Sequence, residues 1–302
     1  MVVTYRKRLD NLGDAVFNIL LYAFMVILAI VTIYPFWNTL AISLNDAVDS
    51  LRGGIALLPR KFTIQNYLTL LSNKSIYHAA FISVARTVIG VCLQLFCTAM
   101  LAYVLSRKEF AFKKQVTFIF ILTMYFDGGL IPSYLLTRTL GLTNNFLVYV
   151  IPGLISAFNL IVMRTFMEEI PDSFFESGKM DGAGDFRMFI QIMLPLSKPV
   201  LATIALFIGV GQWNSWFDTF IYCSSNPDLY TLQYELLKVV ASTQNQGIGR
   251  SVNYMANSGA ARITPVAIRA TITIVVIVPI MFVYPFLQKH FVAGLTLGGV
   301  KE

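Results

Sequence analysis

The run Glu169-Ile-Pro-Asp-Ser-Phe-Phe-Glu-Ser-Gly-Lys-Met-Asp-Gly-Ala-Gly-Asp-Phe-Arg-Met-Phe-Ile-Gln-Ile-Met-Leu-Pro-Leu-Ser-Lys-Pro199 lies between two apolar blocks and decides how the rest of the chain is read. Pro171 can open a helix, and Ser173 with Glu176 has the S-x-x-E spacing of a capping box, so a short helix is expected over 172–181. Gly182 and Gly184 then permit a sharp turn. Phe186, Phe189, Ile190 and Met193 recur at helical spacing, which predicts a second short helix ending before Pro195. The product is a helix-turn-helix elbow displaying Phe174, Phe175 and Met180 beside charged residues, a shape suited to docking into a cleft of a partner.

What flanks the elbow is membrane. Of 302 residues 56% are hydrophobic and 13% charged, against about 45–50% and about 25% in soluble domains. The apolar residues fall in blocks near the length a helix needs to cross a hydrocarbon core. Six spans are expected, over 15–39, 78–105, 116–138, 145–163, 199–222 and 266–287, within a single all-α membrane domain, 1–302. The first block follows Arg6, Lys7 and Arg8 but leaves through bulky Tyr34-Pro35-Phe36-Trp37, which argues for a retained span rather than a cleaved leader.

The formal charge of +7 sits mainly between apolar blocks, where it orients the chain and does not imply nucleic-acid binding. Basic residues gather at the amino terminus, in the short loop carrying Arg107, Lys108, Lys113 and Lys114, in the 164–198 stretch and in the tail. Both termini and the elbow are therefore expected on the cytoplasmic side.

Absent motifs narrow the function. Gly178-Lys179 is followed by Met180 and has Ser173 where a P-loop needs its first glycine. Gly247-Ile248-Gly249 begins like a dinucleotide fingerprint, but Val252 replaces the last glycine. The two histidines, His78 and His290, are expected on opposite membrane sides, and no metal site is indicated. Cys92, Cys97 and Cys223 form no C-x-x-C pair.

The elbow resembles the EAA loop of ABC importer permeases, whose pattern is Glu-Ala-Ala, three residues, Gly, nine residues, Ile-x-Leu-Pro. Here Glu176, Ser177 and Gly178 are followed by Gly182 and then by Ile192, Leu194 and Pro195, with every spacing kept and both alanines replaced by small residues. Asp181-Gly182-Ala183 and Leu194-Pro195-Leu196 look like the sugar-transporting branch. Asp127-Gly-Gly-Leu-Ile-Pro132, Met163-Arg-Thr-Phe166, Leu196-Ser-Lys-Pro199, Gln212-Trp-Asn-Ser-Trp216 and Gln288-Lys-His-Phe-Val-Ala-Gly-Leu295 extend the resemblance to the second permease of maltose-type oligosaccharide importers, especially the polysaccharide-fragment subgroup. The resemblance implies a type I importer fold in a bacterial cytoplasmic membrane. It implies a second permease, two cytoplasmic ATPases holding ATP and Mg, an extracytoplasmic sugar-binding protein, and no cofactor on this chain. It makes Glu176, Ser177, Gly178, Asp181, Gly182, Ala183, Ile192, Leu194 and Pro195 the ATPase-coupling residues; in some maltose-type relatives the carboxyl-terminal tail, Gly294–Glu302 here, also meets the ATPase.

A sugar path needs polar partners and aromatic faces turned from lipid. Gln212, Trp213, Asn214, Trp216, Phe217 and Phe220 offer both, the aromatics at i, i+3, i+4 and i+7 on one expected helical face. The competing reading is an outer-interface aromatic belt or helix packing. Asp127, Asn159 and Asp218 are further polar residues in spans. Asp127 either lines a break in its helix, before Gly128-Gly129 and Pro132, or caps a turn near the surface. Arg86 reads as a snorkelling or paired structural arginine, and as a candidate ligand if the cargo is acidic.

The alternatives are an ion-driven secondary carrier, for which only Asp127 and Asp218 could begin a relay, and a membrane-embedded enzyme, for which no nucleophile-base or metal constellation is visible.

Overall fold

The protein is described by a computed structural model covering residues 12–72, 74–245 and 264–297, with residues 12, 242–245 and 283–297 as backbone only. The basic amino terminus, the Gly247-Ile248-Gly249 loop and the last residues of the tail lie outside the described residues. Among them the chain is helical, and its only extended pairing is one bridge between Asn45 and Phe62.

The helices are α1 (Leu12–Ser43), α2 (Ala47–Ser50), α3 (Gln65–Ser72), α4 (Lys74–Ser106), α5 (Lys113–Tyr125), α6 (Leu130–Thr139), α7 (Ala157–Glu168), α8 (Ser173–Met180), α9 (Asp185–Met188), α10 (Leu194–Leu196), α11 (Lys198–Asn214), α12 (Phe217–Tyr222), α13 (Leu232–Asn245) and α14 (Pro265–Leu297). They divide into two units, one holding 12–70 and 264–274, the other 71–245 and 275–297.

In the first unit α1 exposes most of its apolar side chains from Val16 to Trp37, a surface matched to hydrocarbon and not to water. The chain after it is held by buried amides. Asn45 donates to Asp49 Oδ2 and to Ser50 Oγ, both at 3.0 Å, and accepts from the Lys61 backbone at 2.8 Å. Arg60 Nε reaches the same Asp49 carboxylate at 2.9 Å.

In the second unit α4 is central, packing along α7 and α11. Its Ala99 and Ala102 are fully buried beside Leu160, Met163, Met193 and Ile204; small residues let helix backbones approach closely where lipid offers no competing hydrophobic gain.

The span reading needs correction. Three helices are continuous and apolar enough to cross a membrane, Gly13–Ser43, Lys74–Ser106 and Pro265–Phe282. The third expected span is a bent pair, α5 and α6 meeting at 119°, because Asp127-Gly128-Gly129 interrupts it and Gly129 adopts φ +85°. The fifth begins at an 83° bend between Asp185–Leu196 and Lys198–Asn214 and breaks again at Ser215. The fourth, expected over 145–163, is a 3-10 turn at Phe146–Tyr149 followed by α7, whose 12 residues begin only after Pro152 and Gly153. A proline and a glycine in succession remove a donor and the helical bias together.

Candidate functional site

The elbow forms, with altered details. Helix α8 covers Ser173–Met180, but no capping box closes it: Asp172 is the N-cap and makes no side-chain cap bond. The Asp172 carboxylate turns instead to Lys108 at 2.6 Å and Arg107 at 3.9 Å. The Lys108 ammonium beside it holds Asp172 below the usual carboxylate range, and the same contact pushes Lys108 up. Lys179 pairs with Glu109 and is raised by it. The short basic loop before α5 thus clamps α8 at both ends.

Phe175 does not join the displayed surface. It is buried against Tyr103, with ring centroids 6.3 Å apart, and the Arg107 guanidinium lies 3.7 Å from its ring centre. Phe174, Met180 and Phe186 remain exposed, Met180 to 88%. Glu176, Ser177 and Asp181 are exposed beside them, and Glu176 makes no hydrogen bond or ion pair among the described residues.

The glycines divide their work. A Cβ on Gly178 would stand 3.0 Å from Ile192 Cδ1, so this position admits the second arm of the elbow at close range. Gly182 has φ +74° and open space around it, so its need is conformational. The Gly182 N–H donates to Lys179 O and the Ala183 N–H to Gly178 O, the paired bonds of a Schellman stop.

The second arm does not end before Pro195. Helix α9 widens into a π turn at Phe189–Met193 and continues through α10 to Leu196. The wide turn precedes the ring of Pro195, which would otherwise collide with the carbonyl four residues back. Phe189 and Met193 are buried, while Ile192 and Leu194 pack at the edge of the same core.

A second site lies inside the helical bundle. Arg86, Gly90 and Gln94 follow one another at helical spacing along α4. A Cβ on Gly90 would meet Gln212 Cδ at 3.0 Å, so the glycine opens the slot through which Gln212 crosses to α4. Gln212 Oε1 accepts from Arg86 Nε at 3.0 Å and Nη2 at 2.9 Å, while its amide nitrogen donates to Tyr149 O at 2.9 Å. Asp218 binds Arg86 through both oxygens, at 3.1 and 2.5 Å. Arg86 also donates to the Ser215 carbonyl at 3.3 Å, a group freed by the break between α11 and α12; intramembrane helix breaks persist where such groups find partners. The Tyr149 ring covers the guanidinium at 4.3 Å from its centroid. Arg86 is 1% exposed, so the paired reading is the one realised.

Next to this network is a cavity of about 320 Å³, lined also by Gln94, Asn159, Pro152, Phe207 and Tyr222. Of the residues expected on a substrate path, Gln212 and Asn159 line it. Asp127 does not: exposed, it accepts from the Gly129 N–H at 3.1 Å and caps a turn. Asn214 is exposed and accepts from Gln233 at 3.0 Å. The single aromatic face is also corrected. Ser215, extended at ψ 126°, interrupts the helix, leaving Trp213 buried on α11 with Nε1 donating to Val276 O at 3.1 Å. Trp216, Phe217 and Phe220 form a separate exposed cluster, extended by Tyr234. Sequence reasoning overlooked Gln94 and Tyr149; the four-residue spacing Arg86-Gly90-Gln94 on one apolar helix was the available signal.

Known proteins resemble this chain along nearly its whole length. Residues 1–296 match the family described as binding-protein-dependent transport system inner membrane component. The polygalacturonan/rhamnogalacturonan transport system permease protein YtcP of Bacillus subtilis (strain 168) is 34% identical over 290 residues, covering 95% of this chain and 99% of the relative. The galactooligosaccharides transport system permease protein GanQ of the same organism is 30% identical, covering 94% of this chain and 95% of the relative. Among solved structures, a chain of a bacterial ABC transporter involved in the import of the acidic polysaccharide alginate superposes with a TM-score of 0.85 at 29% identity, covering 94% of this chain and all of the other. The chain belongs to the family of binding-protein-dependent transport system inner membrane components, as a permease subunit of an ABC importer.

Proposed function

We propose that this permease serves an oligosaccharide importer, lining half of the translocation path and converting closure of cytoplasmic ATPases into alternating access. The observation that carries the reading is the elbow: a helix stopped by a Schellman turn, clamped by the Arg107–Lys114 loop, and presenting exposed Phe174, Met180 and Phe186 beside an unpaired Glu176. A rigid apolar knob with a free carboxylate suits a cleft on a partner. The relatives' sugar cargoes and the polar cavity support a saccharide as the transported class.

The whole chain acts as one permease domain. Its partners are a second permease, two ATPase subunits and an extracytoplasmic sugar-binding protein; ATP and Mg belong to the ATPases, and this chain binds no cofactor. The distribution of basic residues supports cytoplasmic termini. Glu176, Ser177, Gly178, Asp181, Gly182, Ala183, Ile192, Leu194 and Pro195 form the coupling element.

The test is co-purification of the tagged chain from its native membrane, then ATPase assays of wild type and Gly182→Leu. Recovery of a second permease and an ATPase by both forms, with sugar-stimulated turnover in the wild type only, supports the reading. Normal stimulation in Gly182→Leu overturns the coupling assignment, and uptake by this chain alone without ATP overturns the importer.

A further inference from the structure

We propose that the cavity beside Arg86 and Asp218 is a subsite for one uncharged sugar ring, and that it excludes the carboxylate of a uronate unit. The proposal rests on the importer reading and narrows its cargo. An arginine in a sugar path suggests an anion receptor, but the donor inventory points the other way. A guanidinium has five N–H groups. In this protein Nε donates to Gln212, Nη2 to Gln212 and Asp218, and Nη1 to Ser215 O and Asp218. No N–H is left for a ligand, and Tyr149 blocks the face of the group.

What the cavity offers instead is neutral hydrogen bonding. Gln94 is 7% exposed and lines the cavity; its carboxamide makes no hydrogen bond among the described residues, and neither does that of Asn159. Each amide supplies donors and an acceptor, the complement of a sugar hydroxyl. Asp218 Oδ1 is occupied by Arg86, Ser215 Oγ and the Thr219 N–H, whereas Oδ2 has Arg86 alone and room to accept one hydroxyl proton.

Arg86 and Asp218 are the only charged residues lining the cavity among the described residues, and they cancel. A ligand carboxylate would face Asp218 without a free cation, in surroundings where like charges repel strongly. The volume of about 320 Å³ lies at the small end of ligand pockets and suits one ring, with Phe207, Tyr222 and Pro152 against its C–H faces.

The test uses the assembled transporter in nanodiscs and two probes of matched ring geometry, galactotriose and trigalacturonate, which differ at C6. Saturation-transfer NMR reads occupancy without the binding protein, for wild type, the Gln94→Leu/Asn159→Leu double variant and Gln94→Arg. The expected result is a galactotriose signal that falls severalfold in the double variant. Trigalacturonate should give little signal until Gln94→Arg supplies a free cation, when the preference inverts. A trigalacturonate signal in wild type that the double variant removes overturns the proposal, as does the absence of any dependence on Gln94 and Asn159. Failure to recover a second permease and an ATPase defeats the importer reading; recovery of both with NMR indifferent to the variants defeats the subsite alone.

Discussion

Two aspartates in the second unit, Asp172 and Asp218, pair with arginine in opposite settings. At the elbow, Arg107 and Lys108 share Asp172, with Lys108 84% and Asp172 47% exposed on their side chains. In the bundle, Arg86 and Asp218 meet at 2.5 Å with side-chain exposures of 2% and 23%. Water screens the first pair and holds its members nearly as well when they separate. The second has no such refuge, so its members depend on each other and on Gln212. The difference teaches that the elbow is held mainly by packing and backbone turns, with charge as a guide, while the cavity wall is held by a polar network whose charged members cannot be removed singly.

The largest effect should come from Arg86→Gln, which strands Asp218; breaking a buried pair costs about 3–5 kcal/mol. Thermal unfolding of the purified complex checks this, and Arg86→Met combined with Asp218→Leu should recover much of the loss. Equal instability of the single and double variants would break the contrast. Gly90→Val comes next, since its side chain must displace Gln212 from contact at 3.0 Å; overpacking of this kind costs about 1–3 kcal/mol.

Gly182→Leu follows, at about 1–2 kcal/mol for a side chain forced into the left-handed region, with loss of stimulated ATPase activity out of proportion to the loss of stability. The smallest effect belongs to Asp172→Asn, which should leave assembly intact and lower stimulated turnover only slightly, less so in high salt.

The elbow's charges also fix a pH expectation. Asp172 is depressed in the folded protein, so its contribution is complete above the ordinary carboxylate pKa of about 4 and is lost as pH falls through the lower folded value. Lys108 is raised, so its contribution is complete below about 10.4 and is lost only as pH climbs through the higher folded value. Coupling measured as stimulated ATPase activity should therefore be insensitive to this clamp across neutral pH. A step near neutrality that Asp172→Asn abolishes would contradict the assignment.

Much of the elbow was legible because local chemistry writes it: a proline, two glycines and helical spacing predict α8 and its turn within a residue or so. The capping box failed because Lys108 and Arg107, distant in sequence, compete for the first turn through Asp172. Continuous spans were predicted by counting apolar residues; the glycine pair after Asp127 signals one break, but nothing local signals that Ser215 breaks another, because its freed carbonyl is met by Arg86 from far along the chain. The aromatic face failed for the same reason, since its periodicity presumed an unbroken axis. Arg86 was legible as a paired residue, but not its partners, which lie 126 and 132 positions away along the chain.

The bend at Ser197 has a thermodynamic consequence. The elbow's second arm runs into α11 with no intervening loop, and Gln212 stands 15 residues further on, ~22 Å along one helix axis. A displacement of the elbow therefore has a route to the cavity along covalent backbone, beside the packing of Phe189 against α4. Linkage would make such coupling reciprocal in the importer proposed above: whatever free energy nucleotide-driven closure delivered to the cavity, an occupant of the cavity would return to the closure equilibrium.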